Sequence, residues 1–189
     1  MSLYTDVIIA GFGGQGVMLI GDLLAQSAMT CGLEATYIPV YGPEMRGGTA
    51  NCTVVVSDEE IGSPIVRQPY NLIIMNQPSL AKFQPLMRDN GVLVLNSSLI
   101  NPALGAKDRV RVFPVPVNHI ADELGNTRMA NMVALGAFII ATGLLPLEKV
   151  QAALPLVMYS RPKLVPKNIE AIQAGADFVK KISGEPREV

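Results

Sequence analysis

The segment that most constrains the fold is residues 8–16, which read I-I-A-G-F-G-G-Q-G. A short apolar run leads into four glycines, and an apolar segment rich in small residues follows from Val17. The glycine spacing matches G-x-G-x-x-G, the pattern in which a strand passes through a tight turn into a helix. Glycines in such a turn admit positive φ angles, let a ligand approach the backbone and let helix and strand pack closely. The helix that follows presents free N–H groups toward an anion, so the turn supplies five candidate binding residues. They are Gly11, Gly13, Gly14, Gln15 and Gly16.

The second predicted strand argues against a nicotinamide cofactor. A nicotinamide-binding unit carries Asp or Glu at the end of this strand, where the carboxylate binds the ribose hydroxyls. Here residues 35–40 end in Pro39 and Val40, and Glu34 lies at the opposite end of the strand. The turn therefore suits a phosphate or a close backbone neighbour better than NAD, with a purely structural glycine turn as the alternative.

A second glycine-rich stretch, residues 41–50, reads Y-G-P-E-M-R-G-G-T-A. Its glycines and proline exclude regular helix or strand. A loop after the second strand of a doubly wound sheet lies at the edge where ligands of such sheets bind. Arg46 is a candidate anion donor because its planar guanidinium suits phosphate or carboxylate, although it could instead pair with Glu44 or with another chain. The candidate site residues of this loop are Tyr41, Gly42, Glu44, Arg46, Gly47 and Gly48.

Composition limits the classes of partner. Of the 189 residues, only 16% are charged, which predicts that partner chains cover part of the surface. The net charge of −1 gives no general attraction to nucleic acid, although residues 107–189 carry eleven basic against eight acidic residues. That excess suits either a phosphate ligand or a solvated basic face. Cys31 and Cys52 are too isolated to form an iron–sulfur or structural zinc site alone, and His119 has no catalytic motif around it.

No secretory signal and no membrane-spanning segment are predicted, so we expect a cytoplasmic protein. The alternation of strands and helices predicts a Rossmann-like, doubly wound α/β sheet, mostly parallel, with extra C-terminal helices, as one domain over residues 1–189. Asn131 lies in the first turn of a predicted buried helix, where its side chain needs a partner. The predicted strands cover residues 6–10, 35–40, 51–57, 61–66, 71–75, 91–96 and 109–115. The predicted helices cover residues 14–30, 78–88, 117–124, 127–142, 147–158 and 165–182.

Four motifs together resemble the gamma subunit of 2-oxoacid:ferredoxin oxidoreductases. They are G-F-G-G-Q-G at 11–16, Y-G-P-E-M-R-G-G at 41–48, I-G-S-P at 61–64 and N-M-V-A-L-G at 131–136. The second of them is far more specific than the first. The A-N-C sequence at 50–52 and the chain length look most like the gamma subunit of the 2-oxoglutarate enzyme. Branched-chain 2-oxoacid, pyruvate and indolepyruvate relatives remain alternatives.

The resemblance implies a complex that converts a 2-oxoacid and coenzyme A to an acyl-coenzyme A and CO2 and passes two electrons to ferredoxin. For 2-oxoglutarate the product is succinyl-coenzyme A. It further implies that thiamine diphosphate and the iron–sulfur clusters lie on partner alpha, beta and delta subunits. This chain is then a subunit without catalytic or metal-binding residues, which packs the complex and helps to place coenzyme A through the candidate residues above, including Asn131. A homodimer of the isolated chain is also possible. The alternatives are a free-standing nucleotide-binding Rossmann protein and an assembly module that binds no ligand.

Overall fold

The computed structural model describes residues 2–41, 49–105, 108 and 110–184. Within this part of the chain, six strands form one sheet and six α-helices flank it. The strands are β1 (Tyr4–Phe12), β2 (Glu34–Tyr41), β3 (Thr49–Ser57), β4 (Asn71–Ile74), β5 (Val92–Asn96) and β6 (Arg111–Val115). The helices are α1 (Val17–Thr30), α2 (Gln77–Phe83), α3 (Val117–Glu123), α4 (Ala130–Thr142), α5 (Leu147–Val157) and α6 (Val165–Gly184).

The sheet has the order β2-β3-β1-β4-β5-β6. Strands β1, β4, β5 and β6 run parallel, while β3 runs antiparallel to both of its neighbours. The predicted class, a mostly parallel α/β sheet with C-terminal helices, is confirmed. The β1–α1–β2 unit expected from the glycine motif is split, however, because β3 pairs with β1 along the whole of both strands. β2 thus becomes an edge strand.

Two apolar layers cover the sheet, because side chains alternate between its faces along each strand. Val7 and Ile9 lie in the larger layer with the buried sides of α1, α4, α5 and α6, whereas Ile8 and Ala10 lie in the smaller layer with α2. α4 is buried almost all round and crosses α6 at very short range. At that crossing a Cβ on Gly136 would meet the backbone of Ile172, so glycine is required there.

Several element boundaries differ from the predictions. α1 begins at Val17 rather than at residue 14, because Gly14 and Gly16 adopt φ angles of 95° and 73° that belong to the turn. The short strand predicted for residues 61–66 is wrong: residues 58–70 form neither strand nor helix. α2 ends at Phe83 and gives way to a 3-10 turn that contains Pro85, a residue without an N–H to continue the helix. No helix in the described ranges is long and apolar enough to cross a membrane.

Candidate functional site

The glycine turn between β1 and α1 is closed by the side chain of Gln15. Its Oε1 accepts a hydrogen bond from the Phe12 N–H at 2.6 Å, and its Nε2 donates to the Met75 carbonyl at 3.2 Å. Gly11 is buried beneath this amide, and a Cβ there would lie 2.6 Å from Gln15 Oε1 and 2.9 Å from the Met75 Cβ. The Gln15 side chain therefore connects the turn to Met75, the residue that follows β4. Gln15 and Gly11 both contribute to the packing of the turn.

Asn131 fastens the start of α1 to the start of α4. Its Nδ2 donates to the Gly16 carbonyl at 3.1 Å, and the residue is only 4% exposed. A Cβ on Gly16 would collide with the Asn131 amide. The prediction that Asn131 needs a partner is confirmed, and that partner lies 115 residues earlier in the chain.

At the N-terminus of α1, no described side chain compensates the positive end of the helix dipole. Gly16 is the N-cap residue, no side chain caps the helix, and the first turn contains no acidic residue. The backbone of Gly14 and Gly16 borders a cavity at this end of the helix. A helix start of this kind stabilises an anion that binds at its free N–H groups.

This cavity has a volume of about 500 Å³, which lies within the usual range for small-molecule sites. Met129 and Met158, both nearly buried, contribute apolar surface, and Asn131 and Asn168 contribute polar side chains. Asn168 is held in place because its Nδ2 donates to the Leu164 carbonyl at 2.7 Å. The cavity thus combines apolar surface with a few fixed polar groups.

Three basic side chains line the cavity from separate segments of the chain. Arg128 comes from the connection between α3 and α4, Arg161 from the linker between α5 and α6, and Lys167 from the first turn of α6. Lys167 Nζ lies 2.7 Å from Glu170 Oε2, so part of its charge is neutralised. Neither arginine forms an ion pair with a described residue, and none of the described lining residues is acidic. The arrangement is suited to binding a ligand with several negative charges.

Sequence reasoning did not single out these three basic residues. They are far apart in the chain and belong to no glycine motif, so only the excess of basic residues in the C-terminal part hinted at them. The 41–48 loop can be placed only by its ends. Ala50 pairs with Gly11 on one side and with Tyr41 on the other, so β1 and β2 end at the same edge of the sheet. The remaining candidates of that loop, Gly42, Glu44, Arg46, Gly47 and Gly48, lie outside the described residues.

The cysteines and the histidine lie apart from the cavity lining. Cys52 is fully buried, its Sγ donates to the Val17 carbonyl at 3.4 Å, and burial raises its pKa to about 12. Cys31 is a free thiol, and the exposed His119 lies 3.3 Å from Glu123. Among the residues that the structure describes, no group of three or more His, Cys, Asp or Glu side chains could hold a metal ion.

The fold and the cavity together define a Rossmann-like α/β chain with a basic cavity beside its glycine turn. Residues 6–178 match the family model described as "Pyruvate ferredoxin/flavodoxin oxidoreductase", and the chain belongs to this family. Within it the chain is of the gamma-subunit type of the 2-oxoacid:ferredoxin oxidoreductases. No single 2-oxoacid follows from this membership.

Two of the most similar curated relatives carry different substrate names. Ketoisovalerate oxidoreductase subunit VorA of Methanothermobacter thermautotrophicus is 41% identical over 182 residues, which cover 95% of this chain and 37% of VorA. The chain thus spans little more than a third of that relative. 2-oxoglutarate synthase subunit KorC of the same organism is 35% identical over 181 residues, which cover 92% of this chain and 94% of KorC.

Solved structures share the fold. The gamma subunit of keto/oxoacid ferredoxin oxidoreductase from Geobacter sulfurreducens superposes with a TM-score of 0.79 at 28% identity, covering 94% of this chain and 99% of that one. The 2-oxoglutarate:ferredoxin oxidoreductase from Magnetococcus marinus gives a TM-score of 0.80 at 21% identity, covering 97% of this chain and 32% of that one. At that identity the second likeness concerns the fold alone.

Proposed function

We propose that the chain is the gamma subunit of a 2-oxoacid:ferredoxin oxidoreductase complex and that its basic cavity holds the phosphate-bearing part of coenzyme A. The observation that carries this proposal is the convergence of Arg128, Arg161 and Lys167 on a cavity bordered by the start of α1. The Magnetococcus marinus enzyme that shares the fold was solved with 2-oxoglutarate, coenzyme A and succinyl-CoA bound.

Coenzyme A suits this cavity because its negative charges are spread over a diphosphate and a separate ribose phosphate. The guanidinium groups of Arg128 and Arg161, which have no ion-pair partner among the described residues, can each bind a phosphate through two parallel N–H donors. Lys167 contributes less because it also pairs with Glu170. The start of α1, which borders the same cavity, offers further N–H donors. Asn131 and Gln15 keep the turn rigid, so the donors are in place before the ligand arrives.

The proposed complex converts a 2-oxoacid, coenzyme A and two oxidised ferredoxins to an acyl-coenzyme A, CO2, a proton and two reduced ferredoxins. Thiamine diphosphate supplies the decarboxylation chemistry and iron–sulfur clusters supply the electron transfer. We propose that these cofactors lie on the alpha, beta and delta subunits. This chain binds and orients coenzyme A and packs against those subunits. Its contribution to the rate is therefore positioning of one substrate.

A substitution of Arg161, an exposed arginine of the cavity lining, tests the role of the cavity. In the assembled complex, Arg161→Ala should raise the KM for coenzyme A by about tenfold or more, because a charge-assisted hydrogen bond contributes about 1.5–3 kcal/mol. The KM for the 2-oxoacid should hardly change. Lys149→Ala, which removes an exposed basic side chain of α5 outside the cavity, is the matched control. An intact Arg161→Ala complex with normal coenzyme A kinetics would exclude this site.

Two alternatives give different titration results. If the chain is a free-standing nucleotide-binding protein, the isolated chain should bind NADH with micromolar affinity. If the proposed function is right, the complex should bind coenzyme A. A ligand-free assembly module predicts no heat on titration of coenzyme A into either the isolated chain or the complex. Calorimetry of both preparations with both ligands separates the three possibilities.

For the 2-oxoacid we propose 2-oxoglutarate, with ketoisovalerate as the second candidate. The A-N-C sequence at residues 50–52 and the KorC relatives favour the first, and the higher identity to VorA favours the second. The contacts that select the 2-oxoacid lie on other subunits in this proposal. Ferredoxin reduction by the purified complex with 2-oxoglutarate, ketoisovalerate, pyruvate and indolepyruvate, each with coenzyme A, decides between them.

A further inference from the structure

A second cavity lies near the amino ends of the parallel strands, whereas the glycine turn lies at their carboxyl ends. It has a volume of about 540 Å³ and is lined by Ser63, Ile65, Arg67, Gln68 and Arg88. Four of these residues belong to the connection between β3 and β4, and Arg88 lies just before β5. Because β4 and β5 run parallel to β1, their amino ends are far from the carboxyl end of β1 where the coenzyme A site is proposed. Nothing in the proposed function accounts for this cavity.

Two guanidinium groups meet there in a region that is poor in basic residues. Residues 1–106 contain only four Lys and Arg residues, and two of them, Arg67 and Arg88, line this one cavity. Neither forms an ion pair with a described residue. Arg88 acts on the buried Asp6 carboxyl only from beyond ion-pair distance: burial raises the pKa of that carboxyl, and the Tyr70 N–H, which donates to it at 2.7 Å, and the charge of Arg88 lower it. Both guanidinium charges are therefore available to a carboxylate from outside the chain.

The surroundings hold Arg88 in position. The Arg88 guanidinium stacks on the Tyr70 ring at 4.5 Å, and the Arg88 N–H donates to the Pro69 carbonyl at 2.8 Å. At the other end of the connection, the Asp58 N–H donates to the Leu3 carbonyl at 3.0 Å. Connections of this length without secondary structure are uncommon in compact domains unless they serve a function. A loop fixed at both ends loses little entropy when a partner binds it.

Ile65 shows what kind of ligand fits. It lines the same cavity as the two arginines and is 73% exposed, the highest exposure among the described large aliphatic side chains. A free phosphate gains nothing from such a side chain, whereas a protein segment can bury it. Arginine is enriched at the cores of protein interfaces, where an aliphatic neighbour excludes water from the ion pair.

We propose that this cavity, formed by residues 63–68 and Arg88, is the docking site for an acidic segment of a partner subunit, with one or more Asp or Glu carboxylates on Arg67 and Arg88 and an apolar side chain on Ile65. The proposal rests on the gamma-subunit assignment made above. It gives the I-G-S-P segment at residues 61–64, which forms no strand or helix, a role in shaping an interface.

Charge reversal in the co-expressed complex is the first test. Arg67→Glu together with Arg88→Glu should weaken association of this chain with the other subunits by at least about 30-fold, since breaking a buried interfacial charge pair costs several factors of ten. Lys149→Glu with Lys181→Glu changes the net charge equally at exposed positions outside both cavities and should assemble normally. An intact complex with the reversed arginine pair would overturn the proposal.

Coenzyme A titration separates this proposal from the proposed function. The charge-reversed chain should keep the coenzyme A affinity of the isolated wild-type chain, because the two cavities lie at opposite ends of the parallel strands. Loss of coenzyme A binding in Arg161→Ala with normal assembly would leave the docking site in place. Tight binding of inorganic pyrophosphate that depends on Arg67 and Arg88, together with normal assembly of the reversed pair, would show a small-anion site and overturn the proposal.

A cross-link in the folded complex is the second test and does not depend on a disruptive variant. Arg67→Lys with Arg88→Lys keeps both charges and introduces amines. A carbodiimide then joins such an amine to a contacting carboxylate as an amide and takes up the released water as a urea. We expect mass spectrometry to find positions 67 or 88 linked to Asp or Glu of a partner subunit, and no such link in the wild-type complex, since arginine does not react. A fully assembled variant complex with no link from either position would overturn the proposal.

Discussion

The glycine at position 16 offers a quantitative test of the turn, because the chain contains a matched control. Gly16 and Gly32 have almost the same φ, 73° and 77°, in the left-handed region. A Cβ on Gly32 meets nothing within 4 Å, whereas a Cβ on Gly16 meets the Asn131 amide. Gly32→Ala therefore measures backbone strain alone, and Gly16→Ala measures the same strain plus the collision with Asn131.

The two costs can be worked out separately. A non-glycine residue in the left-handed conformation costs about 1–2 kcal/mol, which is the expected loss of unfolding free energy for Gly32→Ala. At position 16 the new Cβ also displaces the Asn131 amide from its hydrogen bond to the Gly16 carbonyl. Loss of a buried hydrogen bond costs about 1–3 kcal/mol more. Gly16→Ala should thus lower the unfolding free energy by about 2–5 kcal/mol.

Urea unfolding of the isolated chain, followed by circular dichroism, measures both losses. In an Asn131→Ala background the collision is gone, so Gly16→Ala should cost no more than Gly32→Ala does. The double-mutant cycle should give a coupling of about 1–3 kcal/mol between positions 16 and 131. Equal costs for Gly16→Ala and Gly32→Ala, or additive effects in the cycle, would refute the contact between Gly16 and Asn131.

Three further predictions concern single side chains. Arg46→Ala should raise the KM for coenzyme A in the complex by about tenfold or more if this arginine binds a phosphate; dissociated subunits with normal kinetics in the remaining complex would instead show an interface role. Burial raises the pKa of Asp6 above 3.8, so its ionisation favours the unfolded chain. Stability should therefore fall, relative to Asp6→Asn, as the pH rises from about 4 through the raised pKa, and parallel stability curves for the two proteins would contradict this. At pH 8 native protein should take up one equivalent of iodoacetamide, at Cys31, because the pKa of buried Cys52 is about 12; mass spectrometry that finds modified Cys52 in folded protein would contradict it.

Local sequence patterns predicted a strand, turn or helix correctly where a single property of neighbouring residues determines that element. The glycine motif predicted a strand, a turn and a helix, because the need for positive φ angles is a property of individual residues. Continuous apolar runs predicted the buried strands β4 and β5, and a longer segment that is apolar nearly all round predicted the buried helix α4. The prediction failed at residues 61–66, where a short apolar segment was assigned to a strand that has no neighbour in the sheet to pair with.

The α/β class, the glycine turn and the family resemblance could be predicted from the sequence, because each depends on residues that are close together in the chain. It could not place β3 between β1 and β2, since strand order depends on which distant strands pair. Nor could it bring Asn131 to Gly16, or Arg128, Arg161 and Lys167 to one cavity, because these residues meet only when α4 and α6 pack on the sheet. A binding site built from side chains of several segments therefore depends on the tertiary structure. The packing of the helices sets the distances between its charged groups, and the order of residues in the chain does not specify those distances.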